Sequence, residues 1–236
     1  MNLKFCCSGF TCCTSGSHLA KEGLDARVPQ EEIAPLYDRV SGIYDIWGRL
    51  AESHARRRAI DLAAIRDGET VLEVAVGTGL AFLEIVKRNP HGRNMGIDLS
   101  QGMLSRARKR LAQVRGGNYE FSTGSAFHLQ AENDSVDLLV NNYMFDLIPY
   151  EDMDKILAEF RRVLKKEGRL VLVNMTRGER FGSRLYETLY RLSPRAMGGC
   201  RGVCLSDKLR EHGFFVVVRE YHQQMLFPSE VILARP

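Results

Sequence analysis

Val71-Leu72-Glu73-Val74-Ala75-Val76-Gly77-Thr78-Gly79-Leu80 reads as a buried strand that runs into a glycine turn. An apolar helical stretch follows to Asn89-Pro90, which ends it. Nineteen residues after Gly79, a second strand end carries an acid, in Gly96-Ile97-Asp98-Leu99-Ser100. Strand, glycine turn, helix and a second strand closing on a carboxylate make a nucleotide-binding βαβ unit. The rest of the chain completes a sheet around that turn or encloses what sits on it.

Outward from this unit the alternation is regular. Strands are predicted at 70–76, 93–98, 118–123, 135–141 and 169–174. Helices are predicted at 79–89, after the capping Ser100 (with Met103, Leu104, Ala107 and Leu111 on one face), and at 151–165 with Met153, Ile156, Leu157, Phe160 and Leu164 at helical spacing. Glu167-Gly168 is read as the end of that last helix. A short helix from Ser206 precedes strands at 214–220 and 225–234, close enough in sequence to pair as an antiparallel hairpin. The fold class expected is α/β: a Rossmann-like, mostly parallel seven-stranded sheet with an antiparallel strand near the C-terminus and helices on both faces.

Before and between these elements lie segments that break the rhythm. Residues 1–28 are rich in Ser, Gly and Cys without periodicity and are expected to be unstructured. Residues 29–236 form the domain, with 29–66 as a helical cap, its second helix spanning about 47–65. Residues 175–205 are an insert containing a helix with Phe181, Leu185, Leu189 and Leu192. Its basic, aromatic part at 180–195 suits either a lid over a pocket or contact with a membrane surface.

The chain has 236 residues and a net charge of +4, with 44% hydrophobic and 26% charged residues, which fits one globular domain. Basic clusters at Arg56–Arg58, Arg106–Arg110 and Arg161–Lys166 are interleaved with apolar positions and read as solvated helix faces, so no nucleic-acid partner is expected. No apolar run approaches the ~18 residues of a membrane span, and the first ten residues lack a signal-peptide core. A cytoplasmic protein, with membrane association through 180–195, is therefore expected. The cysteines Cys6, Cys7, Cys12, Cys13, Cys200 and Cys204 match no zinc spacing, and no metal is expected.

The glycine turn also restricts the ligand. A dinucleotide site has a third glycine in G-x-G-x-x-G, whereas Gly77-Thr78-Gly79-Leu80-Ala81-Phe82 has a bulky Phe there. That argues against a pyrophosphate on the helix N-terminus. Asp98 is still placed to accept two ribose hydroxyls, so the implied ligand is a nucleoside without phosphates.

With these residues in view, Val71–Leu80 resembles the first motif of the class I S-adenosylmethionine-dependent methyltransferases. Gly96–Ser100 with Gly102-Met103-Leu104 resembles their second. Gly124-Ser125-Ala126 with Ser135-Val136-Asp137 resembles the third and fourth, and Phe160–Leu170 the helix–strand signature after them. Tyr37-Asp38 and Tyr44-Asp45 make the chain similar to the ubiquinone/menaquinone-biosynthesis methyltransferases within that class. The resemblance implies S-adenosylmethionine as cofactor. Thr78 and the Gly77–Gly79 backbone would hold its methionine part, with Glu73 helping indirectly at the amino group. Asp98 would hold its ribose, Ser125 and Ala126 would flank its adenine with Met103 and Phe127 on the ring faces, and Asn142 would lie beside the sulfonium. Ala75 and Leu99 complete the expected cofactor-binding set. Ser125 stands where the class often has Asp.

The resemblance implies a small, lipophilic, quinone-precursor-like acceptor, with Tyr37, Tyr44, Tyr143 and Asp146 as pocket candidates. No general base is singled out among these, His128 included. The quinone enzymes commonly carry Arg-Asn where this chain has Asp146-Leu147. Phospholipid N-methylation is an alternative, since Glu73–Gly79 also resembles phosphatidylethanolamine methyltransferases. Arsenite methylation is disfavoured by Asn142, which stands where a catalytic Cys would be. From a different class, a non-catalytic S-adenosylmethionine-binding module is the competing expectation. A nicotinamide oxidoreductase is disfavoured by Phe82.

Overall fold

The computed structural model describes residues 53–114, 116–176, 201–224 and 227–236. The expectations for the 1–28 tail, the first cap helix, and the lid helix with its 180–195 surface lie outside these residues.

The described elements are α1 (Ser53–Leu62), β1 (Thr70–Val74), α2 (Leu80–Arg88), β2 (Arg93–Asp98), α3 (Gln101–Leu111), β3 (Tyr119–Thr123), β4 (Val136–Asn142), α4 (Tyr150–Val163), β5 (Leu164–Met175), α5 (Ser206–Glu211), β6 (Phe215–Gln224) and β7 (Phe227–Arg235). A single 3₁₀ turn, Phe145–Leu147, follows β4. The seven strands form one sheet in the order β3-β2-β1-β4-β5-β7-β6. The β1–β2, β1–β4, β2–β3 and β4–β5 pairs are parallel. The last strand, β7, runs antiparallel between β5 and β6. This is the seven-stranded Rossmann-like architecture that the residue pattern predicts.

Strand alternation divides the core into two layers. Leu72, Val74, Leu139, Leu170 and Leu172 face one way, onto Met153, Ile156, Leu157 and Phe160 of α4. Their neighbours Val71, Leu138, Val140, Val171 and Val173 face the other, onto Ala59 of α1, Phe82 and Ile85 of α2 and Leu104 of α3. Central strands covered on both faces need apolar residues at consecutive positions, which is why β1 and β4 read as near-continuous hydrophobic runs. The bulky Phe82 at the third turn position is fully buried, its ring 4.9 Å from Phe121 and edge-on to Tyr119 at 6.5 Å. It fills the space between α2 and the β3 edge.

The helices end as their sequences dictate. Ser100 accepts from the Met103 amide at 3.0 Å and so caps α3. The first turn of α4 carries Glu151 and Asp152 and its last Arg161 and Arg162, which suits the helix dipole at both ends.

One boundary differs from expectation. Helix α4 stops at Val163, and Leu164 is already a strand residue paired with Val136. Between Val136 and Leu138 on β4, the partner on β5 advances from Leu164 to Arg169. Residues 165–168 are therefore a bulge inside β5 rather than a helix terminus. Glu167-Gly168 marks that bulge, which is the reason it looks like a boundary in the sequence.

Arg169, just past the bulge, fastens three elements together. Its guanidinium donates to the Ala63 and Ala64 carbonyls after α1 and makes a two-pronged pair with Glu69, at 2.9 and 2.6 Å, at the foot of β1. Both side chains are largely buried, so removing one partner strands the other. We expect Arg169→Ala to lower unfolding free energy by about 2–4 kcal/mol in urea titration, with Arg169→Lys recovering part of it; a loss under 0.5 kcal/mol would remove this fastening role.

Candidate functional site

In an open parallel sheet, a cleft forms outside the strand C-termini where neighbouring strands lead off in opposite directions. Here that point lies between β1 and β4. From β1 the chain winds outward through β2 to β3, then returns to β4 on the other side. Two adjoining clefts open there.

The larger, about 860 Å³ including solvent at its mouth, is lined by Ala75, Gly77, Asp98, Leu99 and Met103, by Ser125, Ala126 and Phe127, and by Asn142, Tyr143, Met144, Leu147 and Ile148. The smaller, about 380 Å³, is lined by Arg56, Glu73, Ala75, Gly77, Thr78, Asn142 and Tyr143 among others. Most of the sequence-expected site residues are thus assembled on two connected surfaces. Gly79 lines neither. It is held at φ 78° with Ala107 packed so closely that an added Cβ would come within 3.1 Å of the Ala107 Cβ. Its contribution is to start α2 and admit α3.

The turn between β1 and α2 is held by Asp98. One carboxylate oxygen accepts from the Gly77 amide at 2.7 Å and the other from the Ser100 amide at 2.9 Å. Thr78 is buried, and Arg110 donates both to its carbonyl and, at 2.8 Å, to its hydroxyl. The two strand ends flanking the clefts are strained: Ala75 after β1 has φ 57° and Tyr143 after β4 has φ 53°, a region costly for residues with a Cβ. Tyr143 is pinned there by its amide to the Val173 carbonyl at 2.6 Å and by its hydroxyl, which shares a hydrogen bond with Ser229 at 2.8 Å.

Asp146 departs from expectation. It is fully buried behind the cleft wall, accepts from the Met175 amide at 2.9 Å, and lines neither cleft, so the structure corrects its reading as a pocket residue. A carboxylate so close to the strand end is more useful there for satisfying a backbone N–H. His128 also lines neither cleft. Tyr37 and Tyr44 lie outside the described residues.

Several cleft-lining residues, Met144 among them, are not singled out by the sequence pattern. Arg56, expected on a solvated helix face, reaches the smaller cleft from α1. Leu147 and Ile148 belong to the wall carried by the 3₁₀ turn. Behind that wall, fully buried Arg201 donates to the carbonyls of Phe145, Asp146 and Ile148, the last at 2.7 Å, and lies 4.6 Å over the Tyr150 ring. Nothing around Arg201 in the sequence signals such a role.

Comparison with known proteins agrees with this geometry. A family model described as a methyltransferase domain matches residues 71–168. A demethylmenaquinone methyltransferase from Thermotoga maritima is 31% identical over 170 residues, covering 70% of this chain and 71% of that one. The chain belongs to the class I S-adenosylmethionine-dependent methyltransferases. Within them it resembles the menaquinone-biosynthesis enzymes. An arsenite methyltransferase from Halobacterium salinarum is 29% identical over 66% of this chain, which spans only 39% of that protein. Among solved structures, magnesium protoporphyrin IX methyltransferase from Synechocystis PCC 6803 with bound SAH superposes with a TM-score of 0.66 at 15% identity, over 86% of this chain and 99% of that one, a likeness of fold.

The cofactor of this methyltransferase is S-adenosylmethionine, and the residues present fit it. Two buried oxygens at the clefts, Glu73 Oε2 and Asn142 Oδ1, have no hydrogen-bond donor. Unmet buried acceptors suit a ligand that brings donors and positive charge, as an α-ammonium group does. Among the described residues no group of three or more His, Cys, Asp or Glu is arranged to hold a metal ion, and no helix is long and apolar enough to cross a membrane.

Glu73 is 1% exposed. Burial raises its pKa to about 8, against the opposing pull of the Asn142 amide and of Arg56, with Asp98 adding a smaller upward push. The sign for stability follows. Between its ordinary value of 4.5 and about 8, the folded chain keeps this proton while the unfolded chain has lost it. Stability therefore falls as pH rises through that window, by at most about 4–5 kcal/mol. Without cofactor, Glu73→Gln should flatten this slope, so that the variant gains on the wild type between pH 5.5 and pH 8.5 in denaturant titrations; parallel pH profiles would contradict an ionisation cost at Glu73.

Proposed function

We propose that this methyltransferase transfers a methyl group to a small, lipophilic, quinone-precursor-like acceptor. The observation carrying the proposal is the apolar wall of Met144, Leu147 and Ile148, which lines the larger cleft together with Asn142 and Tyr143. A planar hydrophobic ring bearing an apolar tail suits such a wall. The similarity to a demethylmenaquinone methyltransferase supports the same class of acceptor.

When bound, S-adenosylmethionine supplies an electrophilic methyl group on a sulfonium. In this reading, Asp98 accepts from the ribose hydroxyls with the lone pairs left over from Gly77 and Ser100. Leu99 covers the ribose, and Met103, Ser125, Ala126 and Phe127 enclose the adenine. Glu73, Ala75, the 77–79 turn and Arg56 receive the methionine end, with Thr78 beside them. Asn142, held by Glu73, borders the sulfonium. The protein's chief work is to hold the acceptor atom in line with the methyl group and to keep water out, because sulfonium methyl transfer needs little further covalent help. Tyr143, fixed at the junction of the two clefts, orients the acceptor ring. Arsenite chemistry calls for thiols, and among the described residues no cysteine lines either cleft.

The donor half is tested by calorimetric titration with S-adenosylmethionine. Asp98→Ala should weaken binding about 10–100-fold, the range for losing hydrogen bonds to a charged acceptor; equal binding would refute the ribose role. The acceptor half is tested by supplying radiolabelled cofactor with a prenylated naphthoquinol, with phosphatidylethanolamine vesicles, or with arsenite. Label in the quinol supports the proposal, and label in either of the others replaces it. Cofactor binding without any labelled product favours a pure binding module. Leu147→Gln should raise the KM for the prenylated acceptor about tenfold, since it puts an unpaired amide on an apolar wall, and leave cofactor affinity unchanged; an unchanged KM would take the acceptor off this wall.

A further inference from the structure

The two clefts meet at a pair of side chains locked to each other. Asn142 donates to one Glu73 oxygen at 3.1 Å, and the open acceptors of the pair, Glu73 Oε2 and Asn142 Oδ1, are both buried without donors. Ala75, Gly77, Thr78 and Tyr143 close the surrounding wall. An ionised carboxylate is poorly accommodated here without a cation, and a cation is poorly accommodated without the carboxylate.

Among the described residues, the charged groups facing Glu73 come from two elements. Arg56 of α1 attracts the carboxylate, and Asp98 at the end of β2 repels it. From β4 comes only the neutral Asn142 amide, which donates to it. Burial outweighs the two attractions, so at neutral pH the side chain holds a proton before any ligand arrives.

We infer that Glu73 receives the cofactor's α-ammonium group as a carboxylate and gives up its own proton in doing so, which couples S-adenosylmethionine binding to the discharge of a proton. This rests on the reading of the smaller cleft as the methionine end of the cofactor site. The balance is simple. A carboxylic acid and an ammonium group enter, an ammonium–carboxylate pair remains, and one proton goes to solvent. If the amine yields the proton instead, the count is the same, because an α-amine also titrates at about 7.7–8.0. Binding is therefore opposed by protons below pH 7 and strongest near pH 8. Above that, the free amine has lost its proton and binding takes one up.

The test is calorimetry of the full chain with S-adenosylmethionine in buffers of different ionisation enthalpy, from pH 6 to pH 9. The wild type should release about one proton at pH 6.5 and none near pH 8, and its affinity should rise about tenfold per pH unit below pH 7. Glu73→Gln should release none at pH 6.5. Its affinity should approach that of the wild type at pH 6 and trail it about tenfold or more at pH 8. A second probe, 5′-methylthioadenosine, carries no amine and should bind the wild type without proton release. Cofactor binding with no proton released at pH 6.5, or equal release by wild type and Glu73→Gln, overturns the inference and leaves the cofactor site standing. Failure of the wild type to bind S-adenosylmethionine at all overturns the site reading itself.

Discussion

Asp98 accepting from the Gly77 amide at 2.7 Å is the contact on which the rest of the site depends. It joins the end of β2 to the turn that leaves β1, and its second oxygen, through Ser100, also fixes the start of α3. A carboxylate that accepts two backbone N–H groups is rigid before any ligand arrives, and it retains lone pairs for more. Glycine at 79 then lets α3 approach until Ala107 touches the turn. The acid at the second strand end therefore builds the turn as well as lining the larger cleft, which explains why the spacing between the two is so informative.

The opposite side of the turn is organised by deficit. Glu73 sits one residue before the end of β1, in the buried part of the sheet, with one oxygen satisfied by Asn142 and the other by nothing. Asn141, its neighbour, donates instead to the Val74 carbonyl at 2.8 Å and ties β4 to β1 from within. Consecutive asparagines at the end of β4 thus do different things: alternation turns one toward the neighbouring strand and the other toward the cleft. Ala75 and Tyr143, both with positive φ, sit immediately past the ends of β1 and β4 at this level. A buried acid and two strained residues gathered at one strand level cost stability, a pattern typical of a site selected for binding.

How much of this was legible from residues alone depended on whether the cause was local. The βαβ unit, the Ser100 cap and the antiparallel final strand each follow from spacing within a few dozen residues, and each is present. The bulge at 165–168 was not legible, because it is set by pairing with β4, nearly thirty residues earlier in the chain. The assembly of residues around the β1 turn was legible for the same reason as the fold, since turn, acid and flanking strand ends all lie on the first four strands. Asp146 was misread because proximity in sequence to a strand end does not fix the direction of a side chain. Arg56 and Arg201 were missed because they come from outside the βαβ core, and a basic residue on a helix or loop gives no sign of the surface it will reach.

The acceptor end differs from the donor end in its physics as well as its legibility. Donor recognition in the proposed reading uses directional groups, whose geometry a strand end or a helix cap sets within a narrow range. In the proposed reading, acceptor recognition uses an apolar wall of Met144, Leu147 and Ile148, carried on and directly beside one turn of 3₁₀ helix. Few intrahelical bonds support so short a turn: the Phe145 carbonyl accepts from the Ile148 amide, while the Asp146 carbonyl takes its partners from outside the turn. Arg201 donates to the Phe145 and Asp146 carbonyls of the turn and to that of Ile148 just past it, so the wall is held from behind by a residue distant in sequence. Changing the acceptor then requires only new apolar side chains on that turn, while the Arg201 contacts, which are made to backbone, remain as they are. A chain built this way keeps its methyl donor and can alter what it methylates by substitutions that leave every directional bond of the cofactor site in place.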